Sequence, residues 1–460
     1  MPKQKPLKPI SKTNVLLAAS SLAVTHVLSV SAADAPAPAP VAAPSAGLVN
    51  DWLRTQSPNF NSWDLGGQIR LRGEYKGYFN AAGVPGAVDF SAKGDKDNSY
   101  LLLREKIHLG FSPTPWATFF VEGRDAREWN DDRSPSPDAD TFDLFQAYIK
   151  LGDPKTFPVT LKIGRQELIY GDERLIGASD FTNVGRTFDA AKLRWEGTSG
   201  FVDLFTARVV IPDDNNLNLS NDYDTFSGIY AGSKTIVPKF ESEAYFLARN
   251  VEKGSPSVIK AGLPPGLTGA TPRDIYTIGM RFKSLPKALG NWDLEGEFAG
   301  QFGRFKSTVA GPSLDQEAFA AHAAGGYTFN DVSIKPRVGL EYNFASGDNN
   351  SKDGKHQTFE NLFPTNHKFY GYMDFISWQN IHNVRLTSSI KPMDKLTVSL
   401  DYHAFWLADT EDFFYQVNGA ARSTGGYGIK PKAGSYVGSE IDLITTYTIK
   451  PYAIAQAGYG

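Results

Sequence analysis

The feature that most constrains the fold of this chain is a repeated alternation of apolar and charged residues with a period of two. In the segment Arg186–Glu196, Leu193 and Trp195 share one face of an extended strand, while Lys192 and Arg194 share the other. Two kinds of sheet show this pattern. One is a soluble sheet on a hydrophobic core, and the other is a membrane barrel with an apolar outside and a charged lumen.

Segments of this kind follow one another from Trp63 to the end of the chain. Most of them exceed the roughly five or six residues that are usual for a soluble strand. Seventeen are predicted: Trp63–Phe79, Tyr100–Ser112, Trp116–Trp129, Thr141–Leu151, Val159–Leu168, Arg186–Glu196, Phe201–Ile211, Tyr223–Ser233, Lys239–Val251, Asp274–Leu285, Trp292–Phe305, Gln316–Phe329, Ile334–Ala345, Phe375–Lys391, Lys395–Leu407, Tyr436–Lys450 and Tyr452–Gly460.

The connections between these segments alternate strictly in length. Eight are short, such as those at Pro113 and Pro451, and eight are long and polar, such as Asn80–Asn98 and Ser346–Asp374. Outer-membrane barrels sort their connections in this way, because tight turns face the periplasm and long loops face outward. A soluble sandwich or propeller has no reason to do so. The sequence therefore predicts an all-β, antiparallel transmembrane β-barrel.

The odd number of segments raises a question about closure. An antiparallel barrel with seventeen strands cannot pair its first strand with its last in the same sense, and bacterial barrels are usually even. The chain ends at Tyr459 and Gly460 within a strand. We expect eighteen strands with a final one missing from this sequence, which then looks C-terminally truncated; a miscounted segment is the alternative.

The N-terminus is typical of an exported protein. A basic head precedes the largely apolar stretch Val15–Val30, and Ser31 to Ala33 suit cleavage by a signal peptidase. The predicted divisions are a signal peptide over 1–33, a Pro/Ala-rich periplasmic spacer over 34–62 and a barrel over 63–460. We expect the protein in the outer membrane of a Gram-negative-type bacterium.

Composition excludes several classes of site. Cysteine is absent, which rules out disulfides and cysteine-ligated zinc. Aromatic residues make up 13% of the chain and glycine is frequent, which favours a β-rich protein with tight turns. No phosphate loop, dinucleotide site or nucleic-acid module is recognisable, so no cofactor and no nucleic-acid partner are predicted.

Charged residues on the inner parity are the candidate lumen lining. The basic wall comprises Arg70, Arg72, Arg104, Lys106, Arg124, Arg165, Lys192, Arg194, Arg208, Arg337 and Arg385. The acidic partners are Glu122, Glu295, Glu297, Glu341, Asp401 and Glu440. Clustered cations in a pore focus positive potential and draw anions through it. Alternatively, these charges pair across neighbouring strands and hold the lumen rigid.

Two details of the stretch 163–196 are open. Arg165 shares the parity of outward Ile163, so it lies at the membrane rim unless a bulge at Gly164 turns it inward. Four charged residues of this stretch are expected to form a structural ion-pair network rather than to contact substrate: Asp172, Arg174, Arg186 and Asp189.

Metal and catalytic sites are poorly supported. The run Asp348–Gly354 is similar to a calcium loop, but Lys352 occupies a ligand position and Phe359 that of the bidentate glutamate. Asp401 and His403 share an inner face, yet residues two apart on a strand are about 7 Å apart, too far for a catalytic hydrogen bond. No metal and no enzyme activity are predicted.

Three stretches together resemble the alginate export porin family of Gram-negative outer membranes. They are GRQELIYGDERLIG…FTNVGRTFDAAKLRW, SGDNNSKDGKHQTFENLFPTNHKFYGYMDFISWQN and KLTVSLDYHAFWLAD. The resemblance covers nearly all of the chain from Trp63. It implies a monomeric, eighteen-stranded barrel that passes an anionic uronate polysaccharide through an arginine-lined constriction. The missing last strand departs from the family.

The predicted function is passive conduction of an alginate-like polysaccharide or oligosaccharide, with outer-membrane lipid and possible periplasmic export proteins as partners. A general or uptake porin for small solutes is the alternative within transport. A barrel enzyme or a structural anchor is the alternative of another class. A channel this wide needs a gate, and the loop Ser346–Asp374 is the candidate.

Overall fold

The structure is a computed structural model that describes residues 21–23, 48–77, 97–132, 137–213, 217–253, 271–422, 429 and 431–460. Apart from Ser21–Ala23, the predicted signal peptide lies outside the described residues, and so does the predicted spacer as far as residue 47. No helix in the described part of the chain has the length and apolar character needed to span a membrane.

Within the described residues seventeen long strands form one sheet, as the sequence predicts. They are β1 Trp63–Lys76, β2 Asn98–Thr114, β3 Ala117–Trp129, β4 Asp140–Leu151, β5 Val159–Gln166, β6 Phe188–Gly197, β7 Gly200–Ile211, β8 Leu219–Ser233, β9 Phe240–Val251, β10 Arg273–Ser284, β11 Trp292–Phe305, β12 Leu314–Thr328, β13 Arg337–Ala345, β14 Ile381–Met393, β15 Leu396–Trp406, β16 Tyr436–Lys450 and β17 Ala453–Tyr459.

Each strand pairs antiparallel with the next along the chain, from β1 with β2 to β16 with β17. This up-and-down order is that of an outer-membrane β-barrel. Within the described residues no ladder joins β1 to β17, and the three-residue strand Ser21–Ala23 pairs antiparallel with β17 instead.

The two faces of the sheet confirm the predicted alternation. Outward residues are apolar and exposed, including Ile69, Ile107, Leu204 and Leu340. Tryptophans stand near strand ends, as in the aromatic girdles of barrels: Trp63, Trp116, Trp129, Trp195 and Trp292. The pleat of each strand therefore places the apolar belt toward lipid and the charged residues toward the lumen.

Predicted boundaries differ from the observed ones mainly beside two loops. β5 ends at Gln166 rather than Leu168, and β6 begins at Phe188 rather than Arg186. β14 begins at Ile381 rather than Phe375. In each case the residues assigned to a strand instead belong to a loop that turns into the lumen, where packing against other parts of the chain replaces strand pairing.

Shorter elements complete the described chain. A helix, Leu48–Gln56, and a 3₁₀ turn, Pro58–Ser62, precede β1 within the predicted spacer, which had not been expected to contain a helix. The Asn50 side-chain amide donates to Asp64 at 2.6 Å and its oxygen accepts from the Leu65 amide at 2.8 Å, which fixes the helix to β1. Other short elements are Lys355–His356, Asn366–Lys368, Phe414–Tyr415 and Ala421–Arg422.

Candidate functional site

Two long connections turn into the lumen and pack against each other. We call them inner loop 1, residues 167–187, and inner loop 2, residues 346–380. The Gly177 amide donates to Phe363 O at 2.8 Å, and the Phe363 amide donates to Leu175 O at 2.9 Å. The Thr365 amide donates to Glu173 O at 2.9 Å. The two loops thus satisfy one another's backbone groups inside the barrel.

The inner loops also share a hydrophobic core with the barrel wall. From the loops come Leu175, Ile176, Phe359, Phe363, Tyr370 and Trp378, and from the wall come Phe188, Phe205, Phe226, Tyr230 and Ala345, all buried. The Phe363 ring lies edge-on to the rings of Phe188 and Phe226, with centroids 5.2 and 5.0 Å apart. Burial of this much apolar surface holds both loops in the lumen.

The tip of inner loop 1 reaches charged groups across the barrel. Asp172 lies 2.8 Å from both Arg281 and Lys283 on β10. Gly171 has φ +55°, and an added Cβ would lie 3.1 Å from the Tyr230 hydroxyl, so the tip requires glycine here. Burial would raise the pKa of Asp172, but a hydrogen bond with Glu295 and the charges of Arg281 and Lys283 hold it well below its usual value.

Arg174 crosses to the opposite wall of the lumen. Its guanidinium lies 3.0 Å from Glu341 and donates to the Asn343 oxygen at 3.1 Å, both on β13. It also lies 3.9 Å from the centroid of the Phe369 ring. Glu341 further accepts from Arg385 at 3.2 Å, so one wall carboxylate binds an arginine of the loop and one of the wall.

Three predicted conduit arginines of β1 and β2 hold inner loop 1 through its carbonyl groups. Arg70 and Arg104 both donate to Asp180 O, at 2.6 and 2.9 Å, and Arg104 also pairs with the Asp180 carboxylate at 2.9 Å. Arg72 donates to Phe181 O and lies over the Phe181 ring. Arg124 on β3 likewise donates to Val184 O and pairs with Asp140. These guanidinium groups therefore anchor a loop.

Other predicted lumen residues are paired within the wall. Arg194 binds Asp203 through two hydrogen bonds of 2.6 and 2.8 Å. Arg385 binds Asp401 at 2.6 Å, and Arg337 binds Asp293 at 2.5 Å. Lys106 lies 4.0 Å from both the Asp180 carboxylate and the Phe145 ring. Arg194 and Arg385 therefore pair across neighbouring strands, the alternative role that the sequence leaves open, whereas Arg337 reaches from β13 to β11 and Lys106 reaches inner loop 1.

The predicted acidic residues each have a partner. Glu122 accepts from Gln146 at 3.2 Å, Glu297 accepts from the Tyr245 hydroxyl at 2.8 Å, and Glu295 lies 3.3 Å from Arg281. Glu440 on β16 accepts from the Met373 amide of inner loop 2 at 2.7 Å. The acidic side of the lumen therefore stabilises loops as well as neighbouring strands.

Two predicted conduit residues have the strand parity of the outward face. The register of β5 with β6 is kept through Gly164, although Gly164 has φ +124°, so Arg165 has the parity of Ile163. Its side chain is mostly buried, binds Asp189 at 2.9 Å and lies 3.7 Å from the buried Asp143 carboxylate. Arg208 is half-exposed and pairs with Asp222 at 2.6 Å, while the residues before and after it face inward. Both arginines stand near the long-loop ends of their strands.

The four residues expected to form one ion-pair network do not pair with one another. Asp172 pairs with β10, Arg174 with β13 and Asp189 with Arg165. Arg186 donates to Gly177 O at 3.0 Å and to Pro364 O at 2.9 Å, which joins the two inner loops. Partners more than a hundred positions away cannot be inferred from spacing in the sequence.

One inward group of cations differs from the arginines. Lys150, Lys162 and Lys192 lie directly opposite one another on β4, β5 and β6. We call them the lysine row. Within the described ranges neither Lys150 nor Lys162 has a salt bridge, and the Lys162 amine lies 3.7 Å from the centroid of the Tyr148 ring.

Lys192 lies 3.6 Å from Asp203, which already binds Arg194. Glu196 attracts Lys150 and Glu167 attracts Lys162 electrostatically, but neither carboxylate is close enough to form a salt bridge. Like charges directly opposite one another destabilise a sheet, so the row has a cost that no described partner offsets fully.

The lysine row contains residues that sequence reasoning missed. Only Lys192 was predicted, although Lys162 lies between outward Leu161 and Ile163 and so has inward parity. The row is close to the short-turn ends of its strands, since Lys150 is the second-last residue of β4. Inner loop 1 reaches this half of the lumen as well, since Asp172 pairs with Lys283, the second-last residue of β10, and the Lys192 amine lies 5.6 Å from the centroid of the Tyr170 ring.

The residues considered for metal binding and for hydrolysis have ordinary contacts in the described part of the chain. Among the described residues no group of His, Asp and Glu could hold a metal ion. In the calcium-like run, the Asp348 amide donates to Asp412 at 3.0 Å, an ordinary loop contact. His403 is buried, with its Nε2 3.7 Å from the Asp442 carboxylate.

Comparison with known proteins gives one family and several similar structures. The family model described as alginate export matches residues 63–460. A comparison with curated proteins found no match. Pseudomonas aeruginosa OccK11 (OpdR) is 13% identical, with 86% of this chain and 89% of that chain covered and a TM-score of 0.46.

Two further structures have similar values. A BenF-like porin from Pseudomonas fluorescens is 10% identical, with 86% of this chain and 97% of that chain covered and a TM-score of 0.48. Pseudomonas putida OprB is 12% identical, with 89% of this chain and 97% of that chain covered and a TM-score of 0.46.

Proposed function

From the premise that the chain belongs to the alginate export family, we propose that it conducts an anionic polysaccharide and that the lysine row attracts its carboxylates. The family and the barrel place the protein in the bacterial outer membrane as a channel for polysaccharide export. The further steps, an anionic substrate and a basic wall that selects it, rest on the charges of the lumen.

The observation that carries the proposal is the contrast between arginines and lysines. The arginines are engaged by carboxylates or by loop carbonyl groups, so most of their charge or hydrogen-bonding capacity is already used. The lysine row has fewer carboxylate partners: neither Lys150 nor Lys162 has a salt bridge among the described residues, and Lys192 shares Asp203 with Arg194. A uronate polymer carries carboxylates at regular intervals, and such a row offers them several cations in sequence.

The lysine row lies where a polymer would enter the lumen from the periplasm. Short turns of outer-membrane barrels face the periplasm, so the lysine row lies in the periplasmic half of the lumen. A polymer leaving the cell enters through this half, where inner loop 1 also reaches the wall through Tyr170 and Asp172. The predicted arginine-lined conduit is thus refined: the lysines attract the substrate, and the arginines hold the loops that close the path.

The test is ion selectivity in a planar bilayer. For the triple variant Lys150→Gln/Lys162→Gln/Lys192→Gln, we expect a reversal potential shifted toward cations and a block by oligouronates weakened roughly tenfold or more. Each removed charge is worth about 1 kcal/mol at close range in water. The matched control is Arg208→Gln, which removes an outward charge and should leave both quantities unchanged.

Three results would contradict the proposal. A wild-type pore without anion preference or oligouronate block would make the general or uptake porin the better description. Unchanged selectivity in the triple variant would remove the lysine row from the conduit. No conductance under any condition, including after the inner loops are loosened, would favour a structural anchor.

A further inference from the structure

Two carboxylates face the membrane near the middle of the apolar belt, Glu105 on β2 and Asp125 on β3. They lie directly opposite each other, and Glu105 is the eighth of the 17 residues of β2. Phe111 toward the short turn and Trp129 toward the long loop mark the aromatic edges of the belt on these strands. Apart from Asp125, every other charged residue of outward parity in the described strands is among the first or last four of its strand. A charged group at mid-belt is costly in hydrocarbon, so these two stand out from the rest of the outward face.

Arg127 lies on the same face, opposite Leu103, and neutralises only one of the two carboxylates. Its Nε and Nη2 both donate to Asp125, Nη2 at 2.7 Å. Glu105 attracts Arg127 electrostatically, yet among the described residues its exposed carboxylate has neither a hydrogen bond nor a salt bridge. The Arg127 Nη1 group likewise donates to no described residue, and the side chain is half-exposed. We call Glu105, Asp125 and Arg127 the charged patch. It lacks a donor for Glu105 and an acceptor for Arg127.

Large apolar side chains surround the charged patch. Ile69 lies directly opposite Glu105, and Ile107 follows Glu105 by two residues on β2; both side chains are strongly exposed. Phe142, also strongly exposed, lies over Gly123 of β3, where an added Cβ would be 2.5 Å from its ring. The patch is therefore a polar centre within an apolar rim. In a contact between two membrane proteins, such a centre supplies hydrogen bonds and the rim keeps lipid away from them.

We propose that the charged patch is the contact between two copies of this barrel, in which Arg127 of each copy binds Glu105 of the other. The two copies are related by a two-fold axis along the membrane normal, so the same pair forms twice. Each Glu105 then accepts charge-assisted hydrogen bonds, and each Arg127 uses the donors that Asp125 leaves over.

The groups that the patch lacks identify its occupant. Acyl chains supply no donor, so lipid leaves the Glu105 carboxylate unsatisfied. A second copy supplies the guanidinium that Glu105 lacks and the carboxylate that Arg127 lacks, at the depth where both are needed. This inference is independent of the substrate, and it departs from the monomer that the family resemblance implies.

The test uses the absence of cysteine from the chain. Leu103→Cys places one thiol beside the charged patch, and Leu340→Cys, on the exposed belt of β13, is the matched control. In phosphatidylethanolamine–phosphatidylglycerol vesicles at low protein density, a short bismaleimide is expected to join Leu103→Cys copies roughly tenfold more often, a preference of about 1.4 kcal/mol. Adding Glu105→Leu should remove this excess, and the barrel should still fold because leucine suits the belt.

The control for the charge is Glu317→Leu. It removes an outward carboxylate that pairs with Lys355 near one end of β12, and it should keep the excess. Equal crosslinking of the two cysteine variants would overturn the proposal, because the charged patch would then be satisfied within one chain or by another protein. An excess that survives Glu105→Leu would overturn it too, since the contact would not depend on the ion pair.

Discussion

At the scale of single residues, the lumen shows how the environment of one side chain decides its role. Glu167 directly follows β5 and lies near Lys106, Lys162 and Asp180. Burial raises its pKa to about 7, although the charge of Lys106 opposes this shift. The ionised form of this carboxyl group is therefore less stable in the folded protein than in the unfolded chain.

This shift predicts a pH dependence. A carboxyl group whose folded pKa is raised binds more protons in the folded state, so its effect on stability becomes less favourable as pH rises from about 4.5 to about 7. Glu167→Gln should raise the free energy of unfolding by roughly 1–3 kcal/mol at pH 8 and leave it unchanged at pH 4.

The measurement is the urea midpoint of the barrel in detergent at both pH values. Glu252→Gln, at an exposed position after β9, is the matched control and should change neither midpoint. An equal gain at pH 4 and pH 8 would argue that the variant acts through packing and not through ionisation.

At the scale of elements, the inner loops form a unit that is separate from the strands. They hydrogen-bond to each other and share the core around Phe363, whereas every barrel strand has its own ladder partners. Arg70, Arg104 and Arg174 tie this unit to the wall. Inner loop 2 contains the segment that the sequence analysis proposed as a gate.

Phe363→Ala should loosen both inner loops while the barrel persists. Replacing a buried phenylalanine by alanine lowers stability by about 3–5 kcal/mol. Here the stability that is lost is that of the two inner loops, which can open without the barrel unfolding. We expect faster amide hydrogen exchange in 167–187 and 346–380, unchanged exchange in the strands and a higher mean conductance.

The matched control for this prediction is Phe319→Ala, which removes the same ring from the outward face of β12. It should affect neither the exchange of the inner loops nor conductance. If Phe363→Ala unfolded the strands together with the loops, the two would be one cooperative unit.

At the scale of the whole molecule, stability depends on which face of the sheet meets lipid. Leu340 on β13 is exposed on the apolar belt, whereas Thr387 on β14 has lumen parity opposite Gly339. Leu340→Arg should make folding into bilayers less favourable by about 1–4 kcal/mol, depending on the depth of the residue in the membrane.

Thr387→Arg, the matched change on the other face, should cost less than 1 kcal/mol because the lumen solvates the charge. Reversible folding into vesicles, followed by urea titration, measures both values. Equal costs for the two variants would be incompatible with an outward apolar face on β13.

The sequence alone determined the strands, their faces and the family. Period-two alternation follows from the pleat of a single strand, and the parity of loop lengths follows from the two sides of a membrane. Both are local properties, so all seventeen strands could be placed from residue order. The same parity also gives Lys150 and Lys162 an inward direction, although the predicted lumen lining did not include them.

The tertiary structure alone decided which charges are free and which loops enter the lumen. Arg174 meets Glu341 and Lys283 meets Asp172 only because the barrel brings opposite walls and an inserted loop together. Sequence parity gives the direction of a side chain but not its partner across a lumen. A cation that binds a loop and a cation that faces the lumen unpaired therefore have the same pattern in the sequence, and only the packed loops distinguish them.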